Sequence, residues 1–314
     1  MEGEPTLDAP GVIAVVIFLG IIAGSIVLWI RQARRPAAPG IGAGTWPIGW
    51  INFGLFICSL IVVIVVFQNL GAYFIAGNAD EAPAPIHTPH PDDPLETWDE
   101  FDYEAPAPEL TPEIAIAAVL LLQLPILAVF LALRRAYPRE YGGPLNRRSL
   151  SFGAALKETL PLFVMFLPTI WIAGMIWNLI LGQLETRGWI DGTPPQELIS
   201  LFAAGGHPVS IGILVLLAVG LAPLVEELIF RGGIYRFLKS QTPLIAAQVI
   251  SGAFFAVIHG NLLSFGPLLV VGIILARVYE RSGNILVPIC FHGCFNAFSL
   301  FMLFLATQSE MIPT

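Results

Sequence analysis

The sequence predicts an all-α fold, a polytopic membrane helix bundle of about eight transmembrane helices, and three observations carry that expectation. Of the 314 residues, 56% are hydrophobic and 12% charged, where a soluble domain runs at about 45–50% apolar and about 25% charged. So little charge cannot cover a soluble body of this size, which excludes a soluble globular enzyme, a disordered chain and a nucleic-acid binder. The apolar residues also fall in runs near the ~20 residues that span a hydrocarbon core about 30 Å thick. Finally, with eight spans alternating, 14 of the 15 Lys and Arg fall on one side and only Arg187 on the other, the asymmetry that marks cytoplasmic loops.

The runs, in order, are Val12–Ile30, Ile48–Leu70, Glu113–Leu133, Ala154–Leu181, Pro208–Val225, Leu244–His259, Pro267–Tyr279 and Ile285–Ala306. Backbone groups in lipid must be satisfied within the segment, so these are read as helices. The seventh is short and contains Arg277. Pro125, Pro161, Pro168 and Pro223 lie inside helical runs, which bundle interiors tolerate. The start, Met-Glu-Gly-Glu-Pro, lacks the basic region of a cleavable signal peptide, so the first helix is expected to remain as an anchor. The basic side is assigned to the cytoplasm of a cell-membrane protein, with both termini outside.

Net charge of −8 hides two different materials. Eleven of the 23 acidic residues lie between Asn78 and Glu113, a stretch with no Lys or Arg and eight prolines. Such composition argues for a solvated extracytoplasmic loop. His87 and His90 beside Asp92 and Asp93 are metal-capable residue types without a fixed geometry, and a linker is the simpler reading. The expected division is residues 1–77 with two helices, 78–112 the acidic loop, 113–153 a third helix and basic loop, and 154–314 a helix bundle. Cys58, Cys290 and Cys294 have no CxxC pairing and read as small buried hydrophobes.

Ionisable residues inside spans are costly and mark function. Three clusters stand out: Glu226-Glu227-Leu228-Ile229-Phe230-Arg231, Phe255-Ala256-Val257-Ile258-His259, and His292-Gly293-Cys294-Phe295-Asn296. Glu227 and Arg231 stand four apart with the acid first, the favourable order on one helix face; a neutralised structural strut explains that pair as well as a functional role. Glu226 has no base at i+4, and a carboxylate so placed in an apolar setting suits a general base or acid. His292 and Asn296 are also four apart, and two donors aimed at one spot can hold an oxyanion. If Pro208 to Lys239 forms nearly one helix, with turns at Ser240–Pro243 and Ser282–Asn284, then Glu226, His259, His292 and Asn296 fall at similar depth.

The ordered set E-E-x-x-x-R, F-x-x-x-H and H-x-x-x-N resembles the CAAX protease and bacteriocin-processing family, also called the Abi or type II CAAX prenyl endopeptidase family of intramembrane proteases. The resemblance spans roughly Pro208 to Leu305. It implies that Glu226 and His259 activate a water against a peptide carbonyl, that His292 and Asn296 stabilise the oxyanion, and that Glu227 and Arg231 support the site. It leaves two versions open. One is metal-free; in the other Glu226, His259 and His292 form a His₂Glu zinc set with an open fourth position. The implied partner is a membrane-embedded peptide or protein in the lipid bilayer. Prenylated C-terminal peptides, peptide maturation, bacteriocin immunity and degradation of a membrane regulator are all open. A proton-coupled carrier would use buried Glu and His as a relay, and a non-catalytic scaffold is a third class.

Overall fold

The computed structural model describes residues 8–34, 41–79, 110–194 and 197–309. Among them the chain is helical with no strand. Helix α1 (Ala9–Ala33) starts where Asp8 accepts from the Gly11 amide at 2.9 Å, and Pro10 needs no partner in the first turn. Helix α2 (Trp50–Ala79) is followed by α3 (Pro112–Ala136), capped by Thr111 and closed by Arg134 and Arg135 in its last turn. Helix α4 (Phe152–Thr186) is capped by Ser151, and the short α5 is Glu197–Ala204. Then come α6 (Pro208–Gln241), α7 (Leu244–Ile258), α8 (Leu262–Ser282) and α9 (Leu286–Gln308).

Seven of these helices are long and apolar enough to cross a membrane, α5 and α7 being the exceptions. The chain is an integral membrane protein. At 15 residues α7 reaches only about 22 Å, short of the ~30 Å core. The sixth expected span is therefore a short helix that covers about three quarters of that thickness. Gly260, with φ +62°, turns the chain back immediately after His259, and Asn261 caps α8. The reversal still alternates the direction of the chain. The seventh span is longer than expected, with Arg277 exposed near its end.

The basic ends of the helices meet at one end of the bundle. Arg236 donates to the carbonyls of Gly44 and Thr45, and the Trp46 amide returns a bond to Arg236 O. Glu280 takes Lys239 Nζ at 2.6 Å, Tyr235 OH at 2.8 Å and the Ala43 amide at 3.1 Å. Arg134 holds the carbonyls of Tyr141 and Gly143, while Arg147 N and Asn284 join the following loop to the α8–α9 turn. The segments 41–49 and 137–150 thus form a hydrogen-bonded plate across this end.

The first three helices pack on the rest rather than apart from it. Phe18 and Trp29 of α1 lie on Trp171 and Phe166 of α4, and Phe53 of α2 stacks on Phe237 of α6 at 3.7 Å. The acidic stretch with His87, His90, Asp92 and Asp93 lies, apart from its ends, outside the described residues. All three cysteines are free. Cys290 is buried, but Cys58 is exposed on α2, contrary to its expected burial, because its position faces out of the bundle.

Helices α7 and α8 touch backbone to backbone. A Cβ on Gly272 would lie 2.7 Å from Gly252 Cα, and one on Gly252 would lie 2.9 Å from the Ile273 amide nitrogen. Small residues at such a crossing let helices associate without a solvent-driven term. Gly272→Leu should push α8 off α7 and cost about 1–3 kcal/mol or more, read as a lower melting temperature of the purified protein. An unchanged value would contradict this packing.

Candidate active site

The site is built on α6, whose regular turns are interrupted twice, at Leu217–Leu221 and Phe230–Tyr235, by wider π-helical turns. Such bulges are rare and often accompany functional sites. The first has a visible cause. Ala222 N bonds back to Leu217 O, five residues earlier. The next donor in that pattern would be residue 223 reaching Ala218 O, but Pro223 has no N–H. Asn296 Nδ2 of α9 fills the place, donating to Ala218 O at 2.8 Å. Gly293, one turn before it, permits the approach, since a Cβ there would lie 2.7 Å from Val219 O. In the second bulge Gly232 and Gly233 face Leu145 and Phe56, where a Cβ would already be tight at 3.1 Å.

Between the bulges stand Glu226 and Glu227. Glu227 is fully buried, and its Oε1 accepts from Arg231 Nη1 at 2.9 Å and His292 Nδ1 at 3.1 Å. Arg231, also fully buried, donates from Nη2 to Gly272 O at 2.9 Å. Its guanidinium lies 4.8 Å from the Phe255 ring centroid, a cation–π contact strengthened by exclusion of water. One acid therefore joins α6 to α9, and its base joins α6 to α8. Desolvating this pair is costly, and only these added partners offset the cost.

Glu226 faces a different group. Its Oε2 lies 4.0 Å from His259 Nε2 and 3.8 Å from His292 Nε2. His259 Nδ1 is 2.6 Å from Phe255 O and His292 Nδ1 meets the Glu227 carboxylate. Each ring therefore donates from Nδ1, and in the neutral form each leaves an Nε2 lone pair turned towards Glu226. Three acceptors converge on one gap. Glu226 Oε2 is shielded from solvent yet accepts no hydrogen bond from the protein. The other oxygen, Oε1, receives a long bond (3.5 Å) from Gln123 Nε2 on α3, itself buried.

The structure thus brings Glu226, Glu227, Arg231, His259 and His292 together. Asn296 sits one turn further along α9, bonded to Ala218. Sequence reasoning missed Gln123, although it is the only polar side chain between Glu113 and Arg134. The His₂Glu donor chemistry suits zinc, but the spacing is wider than tetrahedral zinc needs, about 3.3–3.5 Å between ligand atoms. Among the described residues no group of three His, Cys, Asp or Glu is arranged to hold a metal ion.

A cavity of about 610 Å³ leads to Glu226 and His259. Its walls are Phe53, Ile57, Ile61 and Ile64 of α2, Ile126 of α3, Phe230 and Ile234 of α6, and Phe254, Val257 and Ile258 of α7, with Gln68 and Gln123 as added amides. Ile61, Phe254, Val257 and Ile258 are also exposed on the outer surface, so the cavity reaches the lipid-facing side between α2 and α7.

Residues 208–298 match the family model described as Type II CAAX prenyl endopeptidase Rce1-like. The resemblance seen in the three motifs therefore holds over this segment, which contains every motif residue and none of α2 or α3. A Bacillus subtilis (strain 168) protein named "Putative membrane peptidase YdiL" is 26% identical over 176 residues, covering 56% of this chain and 67% of that protein. An Escherichia coli protein named "Uncharacterized 24.3 kDa protein" is 29% identical over 176 residues, covering 48% of this chain and 79% of that protein. No solved structure matches the chain.

Two outcomes follow from the geometry. Arg231→Leu should strand the Glu227 carboxylate and lower stability by about 3–5 kcal/mol, with much of the loss recovered in Glu227→Gln/Arg231→Leu; equal melting temperatures for wild type and the single variant would overturn the pairing. Asn296→Ala should leave Ala218 O unpaired at about 1–3 kcal/mol. Adding Pro223→Ala supplies the missing N–H and should restore the melting temperature.

Proposed function

We propose that this chain is an intramembrane endopeptidase that hydrolyses a peptide bond of a membrane-associated peptide or protein, with Glu226 and His259 as the base. The family match and the relatives support a membrane protease. The observation that carries the catalytic assignment is the shielded, unpartnered Glu226 Oε2 facing two imidazole lone pairs at 3.8 and 4.0 Å. Polar groups at that separation are suited to a bridging water. A water there donates one proton to Glu226 and the other to a histidine, leaving its own lone pair free to attack.

In the first step the water oxygen bonds to the scissile carbonyl carbon, and a proton passes to Glu226, assisted by His259. The proton taken up by Glu226 is relayed to His292 Nε2, 3.8 Å away, whose ring is backed by Glu227; that N–H and the Asn296 N–H not used by Ala218 then hydrogen-bond the tetrahedral oxyanion. Collapse breaks the C–N bond, and the amine leaves with that proton, returned from His292 through the Glu226–His259 pair. Gln123 orients Glu226 through its Oε1. No step is routed through a metal. The apolar cavity favours this reading over a carrier, which needs a continuous polar path. Its volume lies within the range of ligand pockets, about 300–1,000 Å³, and suits apolar side chains or a lipid-like substituent beside the cleaved bond.

The test is cleavage of a membrane-associated peptide by purified protein in liposomes. Glu226→Gln and His259→Ala should each lower the rate by about 10²–10⁴-fold while keeping the wild-type melting profile; full activity in either ends the assignment. Activity should survive complete metal removal, verified by elemental analysis, whereas loss restored by zinc would replace the metal-free version. In Pro223→Ala/Asn296→Ala, recovered stability with persistently low activity is expected if Asn296 serves the oxyanion. Recovery of both would make it purely structural.

A further inference from the structure

At the basic end, away from the site, a second cavity of about 520 Å³ opens between α1, α4 and α8. Four cations line it: Arg31 in the last turn of α1, Arg148 just before α4, Lys157 in its second turn, and Arg281 in the last turn of α8. The one acid in the lining, Glu158, is taken by Arg148. Arg281 donates to the neutral Gln32 at 2.9 Å. Arg31 and Lys157 form no ion pair among the described residues. The lining therefore carries three more positive charges than negative, packed within one cavity.

Beyond these charges and the polar Gln32 and Ser282, the wall is apolar. Leu28, Leu162 and Met165 continue along α1 and α4 towards the middle of the bundle. Such a concavity, charged at its outer end and aliphatic beyond, has the polarity profile of a single phospholipid. Arg31, Lys157 and Arg281 are solvent-exposed, but uncompensated cations sharing one cavity still repel one another. A phosphate oxygen cluster relieves that repulsion through charge-assisted hydrogen bonds. Basic pockets between membrane helices bind anionic headgroups for this reason.

We infer that this cavity is a binding site for an anionic phospholipid, with its phosphate among Arg31, Lys157 and Arg281 and an acyl chain along Leu28, Leu162 and Met165. The lipid would bridge α1 and α4, both outside the family-matched segment, to α8, whose Gly272 carbonyl holds Arg231. Zwitterionic lipid supplies the same chains but brings its own cation, and free phosphate supplies the charge without the chains. The chemistry separates the three.

The experiment uses the full-length protein in neutral detergent, titrated with phosphatidylglycerol, phosphatidylcholine or inorganic phosphate. Melting temperature and lipid retention by native mass spectrometry are both read. Phosphatidylglycerol should raise the melting temperature by about 5 °C at saturation, with a smaller shift at high salt, and one copy should remain bound per chain. Arg31→Gln/Lys157→Gln should lose both effects, and Arg31→Lys/Lys157→Arg should keep them. An equal shift with phosphatidylcholine, a full shift with phosphate alone, or undiminished retention in Arg31→Gln/Lys157→Gln would each overturn the proposal. If that double variant does not purify, Lys157→Gln alone, retaining phosphatidylglycerol like wild type, would do the same.

Discussion

The ion pair between Glu227 and Arg231 is the constraint on which the rest of the site depends. Neither residue reaches solvent, so each charge must be met by the protein. The guanidinium meets it with the Gly272 carbonyl and the Phe255 ring, and the carboxylate with His292 Nδ1. These partners belong to α8, α7 and α9. Satisfying one buried pair therefore fixes three helices against α6 and sets which nitrogen of His292 faces Glu226. The close approach of Gly252 to Gly272 belongs to the same arrangement, because it brings the Gly272 carbonyl within reach of Arg231.

Two neighbouring acids on one helix thus have opposite surroundings. Glu227 is held through Oε1 by Arg231 and His292, while its Oε2 is buried without a partner. Glu226, about 100° around the helix, meets acceptors and one distant amide. The held acid orients a histidine, and the free one turns its unpartnered oxygen towards two histidine lone pairs. Their separation into a positioning residue and a proposed base comes from the angular step of the helix, with no difference in chemical type.

Much of this was legible in the sequence because polar residues are so scarce inside the spans. The long helices, the turns at Ser240–Pro243 and Ser282–Asn284 and the converging acids and histidines all stood out against an apolar background. What escaped notice has identifiable physical causes. The reversal after α7 depends on Gly260 turning the chain, which a hydropathy run ending at His259 does not register. The first π turn arises from a donor missing at Pro223, and its consequence for Asn296 is a pairing between distant helices. Gln123 and Gln68 were passed over because, unlike Asn296, neither stands within a turn of an ionisable residue in the sequence. Gly272 contributes a backbone carbonyl, which no side-chain pattern records.

The cavity that leads to Glu226 is walled on one side by α2 and α7 residues that also face the lipid. A substrate using that opening arrives by diffusing within the bilayer. Its mole fraction in the membrane, and not its concentration in water, then sets how often the site is filled. The search is two-dimensional, and dilution of the surrounding aqueous phase leaves it unchanged. Water becomes the scarce reactant, and a carboxylate able to hold one molecule of it at that depth is worth the cost of keeping an acid in the membrane.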